Sequence, residues 1–335
     1  MRTVDVHAHI LFPDVMGLAG AAGPEMGVAD GQNFFRSGHY VLRGVRFTGS
    51  PFSDVSLRLA AMDRLGIDHQ LLSPNPLSYF YAQPAAAALA FCRAQNDAMA
   101  RTVRKHPQRF SGLAQLPMQD VGAAVSELRR AVGELGLRGA YIGSDFAGTD
   151  LAARTLDPVW CALEALDVPV VVHPAPADVE RGAGDQHGSR KWDLDLVIGF
   201  AHDETASVAH LLFGGVLDRH PRLRVHIPHA GGTAPFLKGR LQTALRRRPW
   251  AQALLQRGFA DQWAQLTFDC LAGTDEAMAF VIGSEGAGRV MLGTNFAGWD
   301  QEDDIVARVA ALPIAAQARE QVLGRTAIEY FRLGP

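Results

Sequence analysis

Val168-Pro169-Val170-Val171-Val172-His173-Pro174 is a continuous run of apolar, β-branched residues that stops at a histidine. Such a run reads as a strand covered on both faces, the habit of parallel sheets flanked by helices. A helical pattern over Leu156–Leu166 precedes it, and another over Asp203–Leu217 follows. Working outward in both directions, the same alternation repeats. Apolar strand patterns cover Val4–Ile10, Ile67–Ser73, Phe110–Pro117 and Leu137–Gly143 on one side, and Leu223–His229, Gln265–Cys270 and Arg289–Asn295 on the other. Helical patterns run from Ser53 to Leu65 (Ser53 or Asp54 as cap, Gly66 as stop), then over Ala86–Val103, Val121–Leu135, Ala234–Arg247 and Asp275–Ile282. A helical tail spans Glu302–Leu312 and Ala315–Tyr330. About eight strands, each followed by a helix, predict an α/β fold of the (β/α)8 TIM-barrel type. We expect a single domain over 1–335, with long loop insertions at about 11–52 and 175–202.

The chain has 335 residues and a formal net charge of −3, with 48% hydrophobic and 20% charged residues. This is globular composition with ample length for a core. The only basic cluster, Arg246-Arg247-Arg248, reads as a solvated helix end, so nucleic-acid binding is not expected. No apolar run approaches the roughly 20 residues of a membrane span. Strand pattern begins at Val4, which leaves no room for a leader, and Cys92, Cys161 and Cys270 are scattered thiols with no CxxC pair. The expectation is a cytoplasmic protein without nucleic-acid or membrane partners.

Chemistry enters at the strand ends. Residues two apart in a strand share a face, so His7 and His9 project together from the first strand, ready to hold one metal ion. His173, His229 and Asn295 also fall at strand C-terminal ends, where a barrel carries its active site. That coincidence of position points to a metal site. Arg43 and Arg46 in the first long loop are placed to bring an arginine to an anionic substrate. Trp192 and Trp299 lie near the site and are candidates to stack on a planar substrate.

These residues resemble a known family. His7-Ala8-His9, His173-Pro174, His229-Ala230-Gly231-Gly232 and Leu292-Gly293-Thr294-Asn295 are similar to motifs of the amidohydrolase superfamily, in its branch around aminocarboxymuconate-semialdehyde decarboxylase. Val45-Arg46-Phe47 through Ala61-Met62-Asp63, and Pro235 through Arg240, also look like that branch. The resemblance implies that His7, His9 and His173 bind Zn2+, with Mn2+ as an alternative. It makes His229 a general acid/base, lets Arg46 hold a substrate carboxylate, and sends Arg240 into a neighbouring subunit's site, hence a homodimer. At the position where the family usually has an acidic ligand this chain has Asn295, which we keep with His229 as a catalytic candidate. A carboxamide neither binds metal as an anion nor takes a proton at neutral pH. Asp269 and Asp300 are the candidate substitutes. The implied activity is non-oxidative decarboxylation of a small aromatic or unsaturated carboxylic acid. The alternatives are metal-dependent hydrolysis or hydration of a ring-cleavage product, lactone or amide, and a non-catalytic ligand-binding homologue with a degenerate site.

Overall fold

The computed structural model of the chain describes residues 2–175, 191–251, 256–298 and 300–334. Among the described residues fourteen strands follow in chain order, of which β9 (Asp145–Phe146) and β10 (Thr149–Asp150) pair only with each other. The barrel is built from β1 (Val4–Ile10), β5 (His69–Pro74), β6 (Phe110–Gly112) with its continuation β7 (Ala114–Gln115), β8 (Ala140–Ile142), β11 (Val170–Val172), β12 (Val225–Ile227), β13 (Leu266–Asp269) and β14 (Val290–Met291). Every neighbouring pair is parallel, in the order β1-β5-β6 and then β7-β8-β11-β12-β13-β14. Closure comes from the residues after β14. Val6 N donates to Leu292 O at 2.9 Å, His9 N to Phe296 O at 2.8 Å, and Phe296 N back to His7 O at 2.9 Å. The (β/α)8 expectation is met, and the strand patterns fall where the sequence puts them.

The strands are buried on both sides, the setting in which Val170–Val172 reads as an unbroken apolar run. Helices Val55–Leu65, Ala85–Lys105, Val121–Gly133 and Asp157–Leu166 pack outside the first half of the barrel. Helices Gly199–Phe213, Ala234–Arg247 and Asp275–Glu285 pack outside the second half. Asp54 caps the first helix, accepting from Ser56 N at 2.8 Å and Leu57 N at 3.0 Å, and Gly66 ends it in a left-handed turn. The helix read as Asp203–Leu217 begins earlier, at Gly199, and stops at Phe213. Gly215, at φ 67°, turns the chain there before a short helix Val216–Arg219.

The main departure is the first insertion. Instead of plain loop it forms an antiparallel meander of β2 (Glu25–Ala29), β3 (Gln32–Ser37) and β4 (Tyr40–Arg43). Its first turn is Asp30-Gly31, with both residues at positive φ (52° and 74°), the conformation a two-residue hairpin demands. Phe35 on β3 is fully buried and packs on Phe47 at 4.9 Å between ring centres. The described end of the second insertion is partly helical, over Leu194–Val197. Among the described residues no helix is long and apolar enough to cross a membrane.

Candidate active site

The C-terminal mouth of the barrel holds four imidazoles. His7 and His9 project from β1, His173 follows β11 and His229 follows β12. Ring centres are 5.1 Å apart for His7 and His9, 5.3 Å for His7 and His173, and 5.0 Å for His9 and His173. One nitrogen from each of these three lies within 4.8 Å of the others, and all three residues are buried. His229 sits beside them, 4.6 Å from the His7 ring and 5.0 Å from the His173 ring.

The other nitrogen of each clustered ring is occupied. His7 Nδ1 meets Asp269 Oδ2 at 2.9 Å, His9 Nδ1 meets Ser73 Oγ at 3.0 Å, and His173 Nδ1 meets the Pro174 carbonyl at 2.6 Å. These partners accept the Nδ1 proton and leave each Nε2 unprotonated and turned inward. His7 Nε2 and His173 Nε2 are buried with no hydrogen-bond partner among the described residues. Burial, then the neighbouring His229 charge, depresses all three: His7 and His173 well below the ordinary value, His9 to about 3. Three neutral, convergent imidazoles, two of them with an unpartnered Nε2, fit a divalent metal ion.

His229 is set apart by its electrostatics. Burial opposes its charging, but Glu204 at 2.6 Å from Nδ1, with Asp269 and Asp300 behind it, raises its pKa above the ordinary value. Its backbone is unusual too. His229 and Ala230 have φ of 46° and 55°, followed by Gly231 and Gly232 at 75° and 62°. The two glycines are required. A Cβ at Gly231 would lie 2.5 Å from the Phe268 ring, and one at Gly232 2.3 Å from Ala201 O. Asn295 also has positive φ, 52°, is buried, and its side chain hydrogen-bonds His9. A Cβ at Gly298 would fall 1.9 Å from Asn295 Oδ1, so this carboxamide sits where only glycine can follow. Strain gathered on His229 and Asn295 is the habit of functional positions.

The imidazoles open into a cavity of about 410 Å3. Its polar lining is His9, His173, His229, Asn75, Asn295 and Asp300. Most of the remaining wall is apolar, from Leu42, Val45, Phe47, Phe52, Leu77 and Phe200 among others. The first insertion therefore supplies much of the wall.

The residues expected to bind substrate fare differently. Arg46 is exposed, and its Nε donates to Thr48 O at 3.2 Å, while its neighbours Val45 and Phe47 face the cavity. Alternation puts the apolar pair inward and the charge outward. Arg240 is exposed on helix Ala234–Arg247 and off the lining of its own chain's cavity. Trp192 is 75% exposed and also off the lining. Trp299 lies outside the described residues. Of the two acidic substitutes, Asp300 lines the cavity. Asp269 is bound to His7, and its Oδ1 accepts from Ala230 N at 2.8 Å and Leu271 N at 3.1 Å. Glu204 escaped sequence reading, although it stands on the buried face of its helix with Val208 and Leu211, a place where a carboxylate is costly.

This site is matched along the whole chain by a family model described as Amidohydrolase, over residues 4–333. The chain belongs to the amidohydrolase family. Among relatives in sequence, the 2-amino-3-carboxymuconate-6-semialdehyde decarboxylase of Dictyostelium discoideum is 30% identical over 286 residues, covering 84% of this chain and 77% of that protein. The gamma-resorcylate decarboxylase of Rhodococcus jostii is 30% identical over 259 residues, covering 72% of this chain and 76% of that protein. Among solved structures, a dihydroxybenzoic acid decarboxylase from Polaromonas, crystallised with manganese and the inhibitor 2-nitroresorcinol, superposes with a TM-score of 0.78 at 24% identity over 99% of this chain and 97% of that one. The barrel of this amidohydrolase is thus shared from end to end.

Proposed function

We propose that the chain is a metal-dependent non-oxidative decarboxylase, a carboxy-lyase acting on a small aromatic or unsaturated carboxylic acid. The observation that carries this reading is the convergence of His7, His9 and His173 beside a fourth, differently charged imidazole, His229, on one apolar cavity. His7, His9 and His173 would hold Zn2+ or Mn2+. Bound there, the metal would supply Lewis-acid polarisation of a substrate oxygen. The all-nitrogen donor set supports zinc, and the manganese of the Polaromonas enzyme supports manganese.

The chain's own residues then divide the work. Phe47, Phe52, Leu77 and Phe200 offer flat apolar faces that hold a planar conjugated acid and keep water from it. His229, whose raised pKa favours the imidazolium, donates a proton to the carbon bearing the carboxylate. A C–H bond forms from the substrate's π electrons. The C–C bond to the carboxylate then breaks, its electron pair restores the conjugation, and carbon dioxide leaves. His229 recovers its proton from solvent. An apolar surround favours the step in which the carboxylate charge disappears.

The same reading takes residues 1–335 as one functional unit. It includes a homodimer in which Arg240 reaches the neighbouring cavity, supported by that side chain's exposure. It includes a cytoplasmic location, supported by three cysteines that are all free. Arg46 and Trp192 have no part in it, since both are exposed and off the lining.

The test is elemental analysis of purified wild type and Asn295→Asp, followed by a panel of aromatic and muconate-type acids. We expect about one zinc or manganese per chain in wild type, and loss of carbon dioxide from at least one acid. Gain of water instead of loss of carbon dioxide would turn the assignment to a hydrolase or hydratase. Metal in Asn295→Asp alone would mean that the carboxamide disables the site.

A further inference from the structure

Glu204 is the one fully buried carboxylate that touches the proton-donating histidine, among the described residues. Its Oε1 lies 2.6 Å from His229 Nδ1, and its Oε2 is buried without a hydrogen-bond partner among the described residues. Burying a carboxylate with half its acceptor capacity unmet is expensive, and the fold draws no other bond from it. The other acidic groups near His229 are placed differently. Asp269 has both oxygens committed to His7, Ala230 and Leu271, and Asp300 stands exposed on the cavity lining.

The local packing is arranged to bring this contact about. Glu204 belongs to helix Gly199–Phe213, and His229 opens the turn after β12. The helix and the turn approach so closely that only glycine fits at 232, against Ala201 O. One residue beyond Glu204, Thr205 Oγ1 accepts from Thr233 N at 2.9 Å and meets Thr233 Oγ1 at 2.8 Å. Three neighbouring contacts thus staple one turn of helix to the loop that carries the histidine.

We propose that Glu204 is the positioning residue of His229. It accepts the Nδ1 proton and fixes the ring so that Nε2 faces the cavity, the nitrogen from which a proton reaches substrate. A helix residue 25 positions upstream would thereby act through His229, whereas Asn295, a carboxamide bonded to His9, cannot serve as an anionic acceptor. This rests on the proposed role of His229, so the experiment separates the two.

The experiment compares wild type, Glu204→Gln and Glu204→Ala as metal-loaded full-length protein. Histidine labelled with nitrogen-15 reports which ring nitrogen carries the proton, and His229→Asn assigns the His229 signals. We expect wild type to show a strongly downfield Nδ1 proton on His229, the mark of a short charge-assisted bond, and both variants to lack it. With an acid that wild type decarboxylates, kcat should fall about 10- to 100-fold, with KM and metal content close to wild type. Glu204→Gln is isosteric and keeps the comparison open should the alanine variant fail to fold. A His229 signal unchanged in the variants would overturn the proposal, as would a loss confined to thermal midpoint and KM with kcat retained. If wild type decarboxylates nothing, the functional reading fails on its own, and the nitrogen-15 spectra still decide whether Glu204 sets the tautomer.

Discussion

Each clustered histidine commits its Nδ1 to a different kind of acceptor: a carboxylate, a hydroxyl and a backbone carbonyl. Asp269 is the one whose loss is most informative, because it also holds the backbone of Ala230 and Leu271. Asp269→Asn should weaken metal binding by about 10- to 100-fold while the barrel still folds, as measured by chelator competition. Metal affinity equal to wild type would show that His7 needs no such anchor. At this scale the sequence was legible for the clustered histidines and poor for the pocket. His7 and His9 share a face because a strand has period two, and no tertiary context is needed to see it. Val45 and Phe47 flank Arg46 just beyond β4. Either parity was available, and the charged residue drew attention while the apolar pair took the inward face. Glu204 was signalled only by its misfit on an apolar helix face, and what pays for that misfit is a histidine distant in sequence.

At the scale of elements, β1 is held from beneath by a buried polar chain. Asp5 accepts from His7 N at 3.0 Å, Thr294 Oγ1 at 2.8 Å and Gln70 Nε2 at 3.0 Å. Gln70 Oε1 accepts from Arg58 Nη1 at 2.9 Å. Arg58, on helix Val55–Leu65, also reaches the His9 carbonyl and lies 4.5 Å from the Phe296 ring centre. Burial lowers its pKa to about 9 and raises that of Asp5 to about 6. Removing the cation leaves the other polar groups buried, so Arg58→Met should cost roughly 3 kcal/mol, read as a fall in the urea midpoint at unchanged slope. A cost within error of zero would mean that the network is replaceable by packing.

His69, at the opposite end of β5, tests a different linkage. Burial, first among its causes, holds its pKa down to about 4, against 6.5 ordinarily. Between those values the unfolded chain binds a proton that the folded chain refuses. Stability is therefore complete above about pH 6.5 and is lost as the pH falls through 4, by roughly 3 kcal/mol at most. Replacing it by Gln should flatten that acid limb in denaturation measured across pH. An unchanged slope would show that His69 titrates alike in both states. The meander β2–β4 belongs to this scale as well. Asp30-Gly31 is a strong hairpin signal, and it was hidden by the glycines and prolines around it, which read as loop.

At the scale of the molecule, eight strand patterns, four of them ending in chemistry-bearing residues, were enough to read the barrel. Buried parallel strands keep their apolar run whatever surrounds them. The insertions were not readable in the same way, because their shape depends on what they pack against. The histidine cluster joins β1 to the end of β11 across the mouth, so an ion bound there would stabilise the closed barrel by mass action. Stripping the metal with a chelator should lower the thermal midpoint by several degrees, and adding zinc or manganese back should restore it. A midpoint indifferent to metal would separate the cluster from the stability of the fold.

The spacing of that cluster along the chain has a consequence for how the protein is made. His7 and His9 leave the ribosome well before His173, and Asp269, which orients His7, is 262 positions later than His7. Until His173 is made the nascent chain therefore displays only a two-histidine fragment of the cluster, which a divalent ion can visit and leave. The choice among ions falls to the finished barrel, whose geometry sets the terms.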